Sequence, residues 1–188
     1  MASSITWLLG KDPTPQETWV ALVTAMVAGL AAGILQLRAG TGPVFTIVAG
    51  MMAFDLAGGC AVNASGAGKR WYHRPRARRS GPIWFAALHV HPFLLFLVPD
   101  GISWWKCLAI YALGVGGTLT VVIAPRYLKL PLAMGIVASA SIVATGLAIP
   151  PPWIWLPSVL LLKLVVAHAV PPDPNPWQGV AHCSREPS

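Results

Sequence analysis

Apolar positions in this chain gather in long continuous runs separated by short polar stretches. Each run holds 18 to 21 residues, and a helix of about 20 residues crosses a hydrocarbon core of roughly 30 Å. The pattern predicts an all-α fold, a polytopic membrane bundle of six transmembrane helices. The predicted helices lie at residues 19–37, 43–62, 82–99, 104–124, 131–149 and 153–170.

The composition agrees with a membrane protein and limits the classes of partner that we expect. The chain is 55% hydrophobic and 10% charged, with a mean hydropathy of +0.64, whereas soluble domains carry about 25% charged residues. The pI near 9.9 does not indicate nucleic-acid binding, because the basic residues lie between apolar runs. Such residues set topology and attract anionic lipid heads. We therefore expect the lipid bilayer as partner, with anionic phospholipid heads at loop 63–82, and no nucleic acid.

The same runs divide the chain into a polar N-terminal segment (1–18), a transmembrane domain (19–170) and an irregular cytoplasmic tail (171–188). Ten of the 13 lysines and arginines would lie on the side of both termini, and two on the other. The positive-inside rule then predicts both termini in the cytoplasm. In a bacterium this would be a multi-pass protein of the cytoplasmic (inner) membrane. Small residues at four-residue spacing, Ala25, Gly29 and Gly33, permit close helix contacts and either a homo-oligomer or a larger membrane complex.

Three ionisable residues lie inside the predicted helices at one depth. Asp55, His89 and Lys163 are each seven residues from the inner end of their run, which places them roughly 10 Å deep. One interpretation is an ion pair of Asp55 and Lys163 that only locks two helices together. The other is a functional site or pathway, because charged groups at this depth cost about 3 kcal/mol each.

Two histidines flank a predicted helix break. On a regular helix His89 and His91 would point about 200° apart, so both could not reach one ion. Pro92 cannot donate to the carbonyl of Leu88, and the residue before a proline avoids helical geometry. A break at this point could turn both rings inward. The candidate catalytic residues are therefore Asp55, His89, His91 and Lys163.

A metal site is a further hypothesis. Carboxylate and imidazole ligands suit zinc or iron, and the candidate ligands are Asp55, His89, His91 and His168. No diagnostic ligand spacing supports this set, and histidines that merely satisfy a local hydrogen bond are an open alternative. The cofactor is left unknown, with haem or a pigment as the less favoured choice.

The basic loop contains cations and aromatic residues side by side. One interpretation is a topology determinant with an interfacial anchor. The other is a cradle for a phosphate-bearing lipid head or an anionic substrate. On the second interpretation the candidate substrate-binding residues are Asn63, Arg70, His73 and Arg74.

Three functions are compatible with these residues. The first is a small membrane-embedded enzyme, metal-dependent or not, that acts on an amphipathic or anionic substrate. The second is a proton-coupled carrier or channel for a small solute, in which Asp55 and His89 exchange protons. The third is an accessory or scaffold subunit of a membrane complex, with or without a histidine that ligates haem or chlorophyll. The sequence slightly favours the enzyme and names no substrate.

Overall fold

The computed structural model describes residues 9–74, 80–98 and 100–172, and within them the chain is all-α with no strand. The predicted cytoplasmic tail from Asp173 and loop residues Arg76, Arg78 and Arg79 lie outside the described residues. The helices are α1 (Pro15–Arg38), α2 (Pro43–Ala64), α3 (Gly66–Tyr72), α4 (Gly81–Ala87), α5 (Leu94–Leu97), α6 (Trp104–Ile123), α7 (Lys129–Thr145) and α8 (Leu156–Leu161), which continues as a π-helix (Leu162–His168).

Five helical segments in the described ranges are long and apolar enough to cross a membrane. They are Pro15–Arg38, Pro43–Ala64, Trp104–Ile123, Arg126–Thr145 and Pro151–His168. Five of the six predicted spans are therefore confirmed as candidate spans. The third predicted span, 82–99, is not one long helix but a shorter apolar segment, Gly81–Leu97.

The third segment breaks where the proline predicted a kink, and the break is larger than a kink. Helix α4 ends at Ala87, the backbone resumes as a 3₁₀ turn at His91–Phe93, and α5 follows. The segment lies along α6 in the opposite direction. The Tyr111 hydroxyl donates to the carbonyl of Ala87 at 2.8 Å, and the Tyr111 ring lies 5.6 Å from that of Phe93. Near the other end of α6, Pro82 and Ile123 line one surface depression.

Helices α1 and α2 form an antiparallel hairpin through small residues. A Cβ on Gly29 would come within 3.0 Å of the carbonyl oxygen of Gly50, and one on Gly58 within 2.7 Å of the Ala25 Cβ. Gly33 likewise faces Thr46 of α2. The Ala25, Gly29 and Gly33 stripe therefore serves packing within the chain, where larger side chains would separate the backbones.

The last helix lies in the middle of the bundle. Of the most apolar window of Pro151–His168, 61% is buried, against 17% to 33% for the other four candidate spans. Its π-helical end changes which residues share a face. In an α-helix, two residues five positions apart are rotated by about 500° and so point about 140° apart. In a π-helix each residue bonds to the fifth along, so residues at this spacing lie on nearly the same face. Lys163 and His168 accordingly both contact the ring of Phe85.

The segments predicted to be cytoplasmic lie together at one end of the bundle, where backbone and side-chain hydrogen bonds join them. The Lys11 amide donates to the Ala67 carbonyl at 3.0 Å, and the Arg126 guanidinium donates to the Pro172 carbonyl at 2.9 Å. At the other end of the bundle, the Lys106 ammonium donates to the carbonyl of Leu147 at 2.9 Å. We call the end of the bundle that holds the Lys11–Ala67 and Arg126–Pro172 contacts the basic face.

Candidate functional site

An ion pair joins α2 to the π-helix in the interior of the bundle. The Lys163 ammonium lies 2.8 Å from Oδ2 of Asp55 and also donates to the backbone carbonyl of Asp55 at 3.3 Å. The Lys163 side chain is 5% exposed, whereas that of Asp55 is 55% exposed. The cation is therefore enclosed by protein, while much of the carboxylate surface is open. A pair that only locks two helices has no need of this open side.

Gly59 makes room for the lysine. A Cβ at this position would overlap Cε of Lys163 and lie 2.9 Å from its Nζ. Gly59 is one turn further along α2 than Asp55, so the lysine side chain passes over it to reach the carboxylate.

We expect Gly59→Ala to weaken the ion pair without disrupting the helix, because alanine favours helix while its methyl group displaces the lysine. The thermal denaturation midpoint in lipid nanodiscs should fall. The matched control is Gly116→Ala on α6, where an added Cβ meets nothing within 4 Å; this variant should be as stable as the native protein or more so. Equal behaviour of the two variants would show that Lys163 does not depend on Gly59.

Both histidines of the broken segment lie close to this pair. Nε2 of His91 is 3.8 Å from Oδ2 of Asp55, and the rings of His89 and His91 are 5.3 Å apart. Nδ1 of His89 lies 2.6 Å from the carbonyl oxygen of Phe85. A carbonyl can only accept, so Nδ1 carries the proton and Nε2 of a neutral His89 is left as an acceptor. The break at Pro92 thus brings together two rings that a regular helix would separate.

His168 belongs to a different part of the interior. It is 3% exposed, and its ring stacks on Phe85 at 3.8 Å and meets Tyr72 edge-on at 4.6 Å. Phe85 in turn contacts His89 at 4.4 Å, so a benzene ring lies between the two imidazoles. The four predicted metal ligands are consequently not gathered into one ligand set. Among the described residues, no group of three or more His, Cys, Asp or Glu side chains could hold a metal ion.

Asp55 also lines an apolar groove between α1 and α2. The groove has a volume of about 350 Å³, near the lower end of the range for small-molecule sites. Oδ1 of Asp55 makes no hydrogen bond or ion pair with any described residue. The other residues that line the groove are Leu9, Thr18, Ala21, Leu22, Ala25, Phe54, Gly58, Gly59 and Val62.

A second, larger cavity of about 1100 Å³ opens on the basic face. It brings together three of the four predicted substrate-binding residues, Arg70, His73 and Arg74, with two further cations, Lys11 and Lys69. The fourth predicted residue, Asn63, does not line it and is buried at 3% exposure. Helix α2 turns this amide into the bundle, where its Nδ2 meets no hydrogen-bond acceptor among the described residues.

Burial lowers the pKa of two groups at this cavity. The pKa of Lys69 falls to about 8 because its ammonium is largely removed from water, although it donates to the carbonyl oxygens of Ala167 and Val170. The pKa of His73 is lowered by burial and then by the nearby charge of Lys69. Nε2 of His73 lies 3.0 Å from the carbonyl oxygen of His168, so it carries a proton and acts as donor.

Comparison with protein-family models, with curated proteins and with solved structures gave no match.

Three features of the site were not predicted from the sequence. Lys11 joins the cavity because the N-terminal segment folds back onto α3, where the Arg70 guanidinium donates to the Lys11 carbonyl at 3.1 Å. The π-helix is the second feature. The third is Gly59, whose role becomes apparent because Lys163 crosses it.

Proposed function

We propose that this multi-pass membrane protein is a membrane-embedded enzyme that exchanges a proton with an amphipathic molecule entering from the lipid. Asp55 and His91 are the acid–base pair, since Nε2 of His91 lies 3.8 Å from Oδ2 of Asp55. The Lys163 ammonium fixes the position of the carboxylate across 2.8 Å. His89 is a positioning residue, because its ring packs against that of His91 and is fixed by the Phe85 carbonyl.

The proposed topology has six crossings with both termini in the cytoplasm. The broken segment counts as the third crossing, because it follows α6 from the level of Ile123 to beyond Tyr111. An even number of crossings is also consistent with the N-terminal segment and the end of the last helix both lying on the basic face. The excess of cations on that face favours the cytoplasm, with residues 171–188 as a cytoplasmic tail.

One observation carries the functional proposal: the lysine of this ion pair is 5% exposed, whereas the carboxylate is 55% exposed and lines an apolar groove. Inside a membrane, an exposed charge is costly unless it serves a ligand or a pathway. A structural pair gains most when both partners are enclosed and fully hydrogen-bonded. Here the enclosed partner is the lysine alone, and the open partner is the one that can accept a proton.

Dicyclohexylcarbodiimide tests this proposal, because this apolar reagent modifies carboxyl groups that it reaches from the lipid and that can take up a proton. In nanodiscs we expect modification of Asp55, detected by peptide mass spectrometry. Lys163→Met should accelerate it, because the ammonium that covers Oδ2 of Asp55 at 2.8 Å is removed. Glu17, which accepts hydrogen bonds at the N-terminus of α1, is the internal reference carboxylate.

Failure of the reagent to modify Asp55 at any pH would contradict an open site. It would favour the accessory-subunit function, in which the ion pair is only structural. A membrane complex should then co-purify with fixed partners and be indifferent to Asp55→Asn.

A proton-coupled carrier is the second candidate function, and a specific arrangement favours it. Imidazole and aromatic rings follow one another from the basic cavity to Asp55, through His73, His168, Phe85, His89 and His91. Phe85 cannot relay a proton, so the series is interrupted in this conformation. Proton flux into liposomes that disappears with Asp55→Asn would select the carrier over the enzyme.

We also propose that the basic cavity binds the phosphate of an anionic lipid head. Lys11, Lys69, Arg70 and Arg74 line it, and no acidic side chain is among its described lining residues. Cations clustered at the cytoplasmic surface attract anionic lipid by about 1 kcal/mol each.

Binding of anionic lipid at this cavity should weaken as the pH rises through about 8, the pKa of Lys69. Below this pH the Lys69 side chain is protonated and attracts phosphate, whereas above this pH the side chain loses its charge. Native mass spectrometry of the protein with phosphatidylglycerol between pH 6.5 and 9.5 (chosen to be about 1.5 pH units either side of that pKa) measures the effect. Lys69→Met should bind more weakly and remove most of this pH dependence, and an unchanged pH profile in the variant would assign it to another group.

A further inference from the structure

The groove at Asp55 has a composition that selects the head group of its ligand. Its walls are apolar apart from Asp55 and the Thr18 hydroxyl, which is occupied by the carbonyl of Thr14 at 3.1 Å. Oδ2 of Asp55 is engaged by Lys163, with His91 beside it, while Oδ1 makes no hydrogen bond or ion pair in the described part of the chain. The groove therefore contains one hydrogen-bond acceptor, Oδ1 of Asp55, that lacks a donor.

Charge balance decides what kind of donor fits. Asp55 and Lys163 cancel at a separation of 2.8 Å, so the site is neutral when His91 is neutral. A ligand carboxylate would face Oδ1 and be repelled by it. A ligand ammonium would compete with Lys163 for the same carboxylate and leave one cation without a partner in a medium of low dielectric constant, which is costly. A neutral hydroxyl donates without changing the charge of the site.

The dimensions of the groove limit the rest of the ligand. A volume of about 350 Å³ lined by Leu22, Phe54 and Val62 accommodates one apolar chain, and lies well below the roughly 1,000 Å³ of the largest small-molecule pockets. Thr18 lies at the basic-face end of α1 and Leu9 precedes that helix, so the groove extends from Asp55 toward that surface.

We infer that the Asp55 groove binds a single-chain, neutral amphiphile whose hydroxyl donates to Oδ1 of Asp55, such as a long-chain or isoprenoid alcohol. This inference rests on the proposed function for the location of the site and adds the class of molecule. Anionic lipid heads are then confined to the basic cavity, and the two ligands differ in charge because their sites do.

Three matched photoprobes test the inference. They are a long-chain alcohol, amine and carboxylic acid that share one chain and carry a diazirine in its middle, each added to the protein in phosphatidylcholine nanodiscs. Cross-links are mapped by mass spectrometry at Leu22, Phe54 and Val62, with the lipid-exposed Ile142 and Val143 of α7 as reference positions. The alcohol should label the groove about tenfold more than either charged probe, as one net hydrogen bond allows.

A variant makes the charge argument decisive. Asp55→Asn keeps an acceptor oxygen but leaves the Lys163 cation without its counter-ion, so the preference should switch from the alcohol to the carboxylic acid. The double variant Asp55→Leu/Lys163→Met removes both charges and the acceptor, and should label the groove equally with all three probes.

The possible outcomes distinguish an error in the proposed ligand class from an error in the proposed location of the site. If the amine or the acid labels the native groove most strongly, the hydroxyl ligand is wrong and the proposed site stands. If no probe labels the groove above Ile142 and Val143, the inference and the proposed site are both wrong. A native preference for the alcohol that survives unchanged in Asp55→Asn would also overturn the role assigned to charge.

Discussion

Asp55→Leu is expected to destabilise the protein by about 3–5 kcal/mol, the usual cost of leaving one partner of a buried ion pair without the other. The reason is the enclosure of Lys163, whose side chain is only 5% exposed. Without Asp55 the ammonium keeps one bond to a backbone carbonyl, which cannot balance a full charge. The measurement is thermal denaturation of the purified variant in nanodiscs, followed by tryptophan fluorescence.

The double variant Asp55→Leu/Lys163→Met is the matched control. Replacing both charges with apolar groups of similar size should restore most of the lost stability, because buried pairs are often no more stabilising than apolar packing. A double-mutant cycle should then show a coupling energy of about 3 kcal/mol. Additive losses would indicate that the two residues do not depend on each other. Restored stability with lost photoprobe selectivity would show that the pair is kept for function.

Gly68→Ala is expected to have the second large effect, a loss of about 3 kcal/mol or more. A Cβ at Gly68 would collide with the backbone carbonyl oxygen of Val62 and approach its carbonyl carbon to 3.0 Å. The neighbouring backbone cannot yield easily, since the Gly68 amide also donates to the Ser65 hydroxyl that caps α3. Lipid binding at the basic cavity should fall together with the denaturation midpoint.

The comparison for this variant is Gly81→Ala, at the start of α4, where an added Cβ meets nothing within 4 Å. This substitution should leave both stability and anionic-lipid binding close to native values. If Gly68→Ala were equally harmless, the packing of α3 against the end of α2 would not be what assembles the basic cavity.

Hydropathy was sufficient to find the helices but not to decide how each is built. Apolar runs report burial in lipid or protein, so they located five candidate spans and a sixth apolar segment. Pro92 indicated where the third run would fail, since a proline removes a helical donor. The length of the break, from the end of α4 at Ala87 to the turn at His91, depends on tertiary contacts with Tyr111 that no local pattern encodes.

The ion pair of the site was predictable, because an enclosed charge requires a partner of opposite sign. An ion pair of Asp55 and Lys163 was one of two interpretations of the sequence, and the structure pairs these residues. The rotation of each helix was not predictable, and rotation separates His168 from His91. Asn63 illustrates the same limit: the sequence predicted a substrate-binding residue, but α2 turns this side chain into the bundle, where it is buried.

The central position of the last helix has a consequence for biogenesis. Pro151–His168 has the lowest mean hydropathy of the five candidate spans and the largest buried share, and it carries a lysine that lipid alone would not accommodate cheaply. Its counter-ion resides on α2, which leaves the ribosome more than a hundred residues earlier along the chain. Integration by the translocon should therefore depend on a hairpin that is already in place, so this protein assembles from its first two helices toward its last.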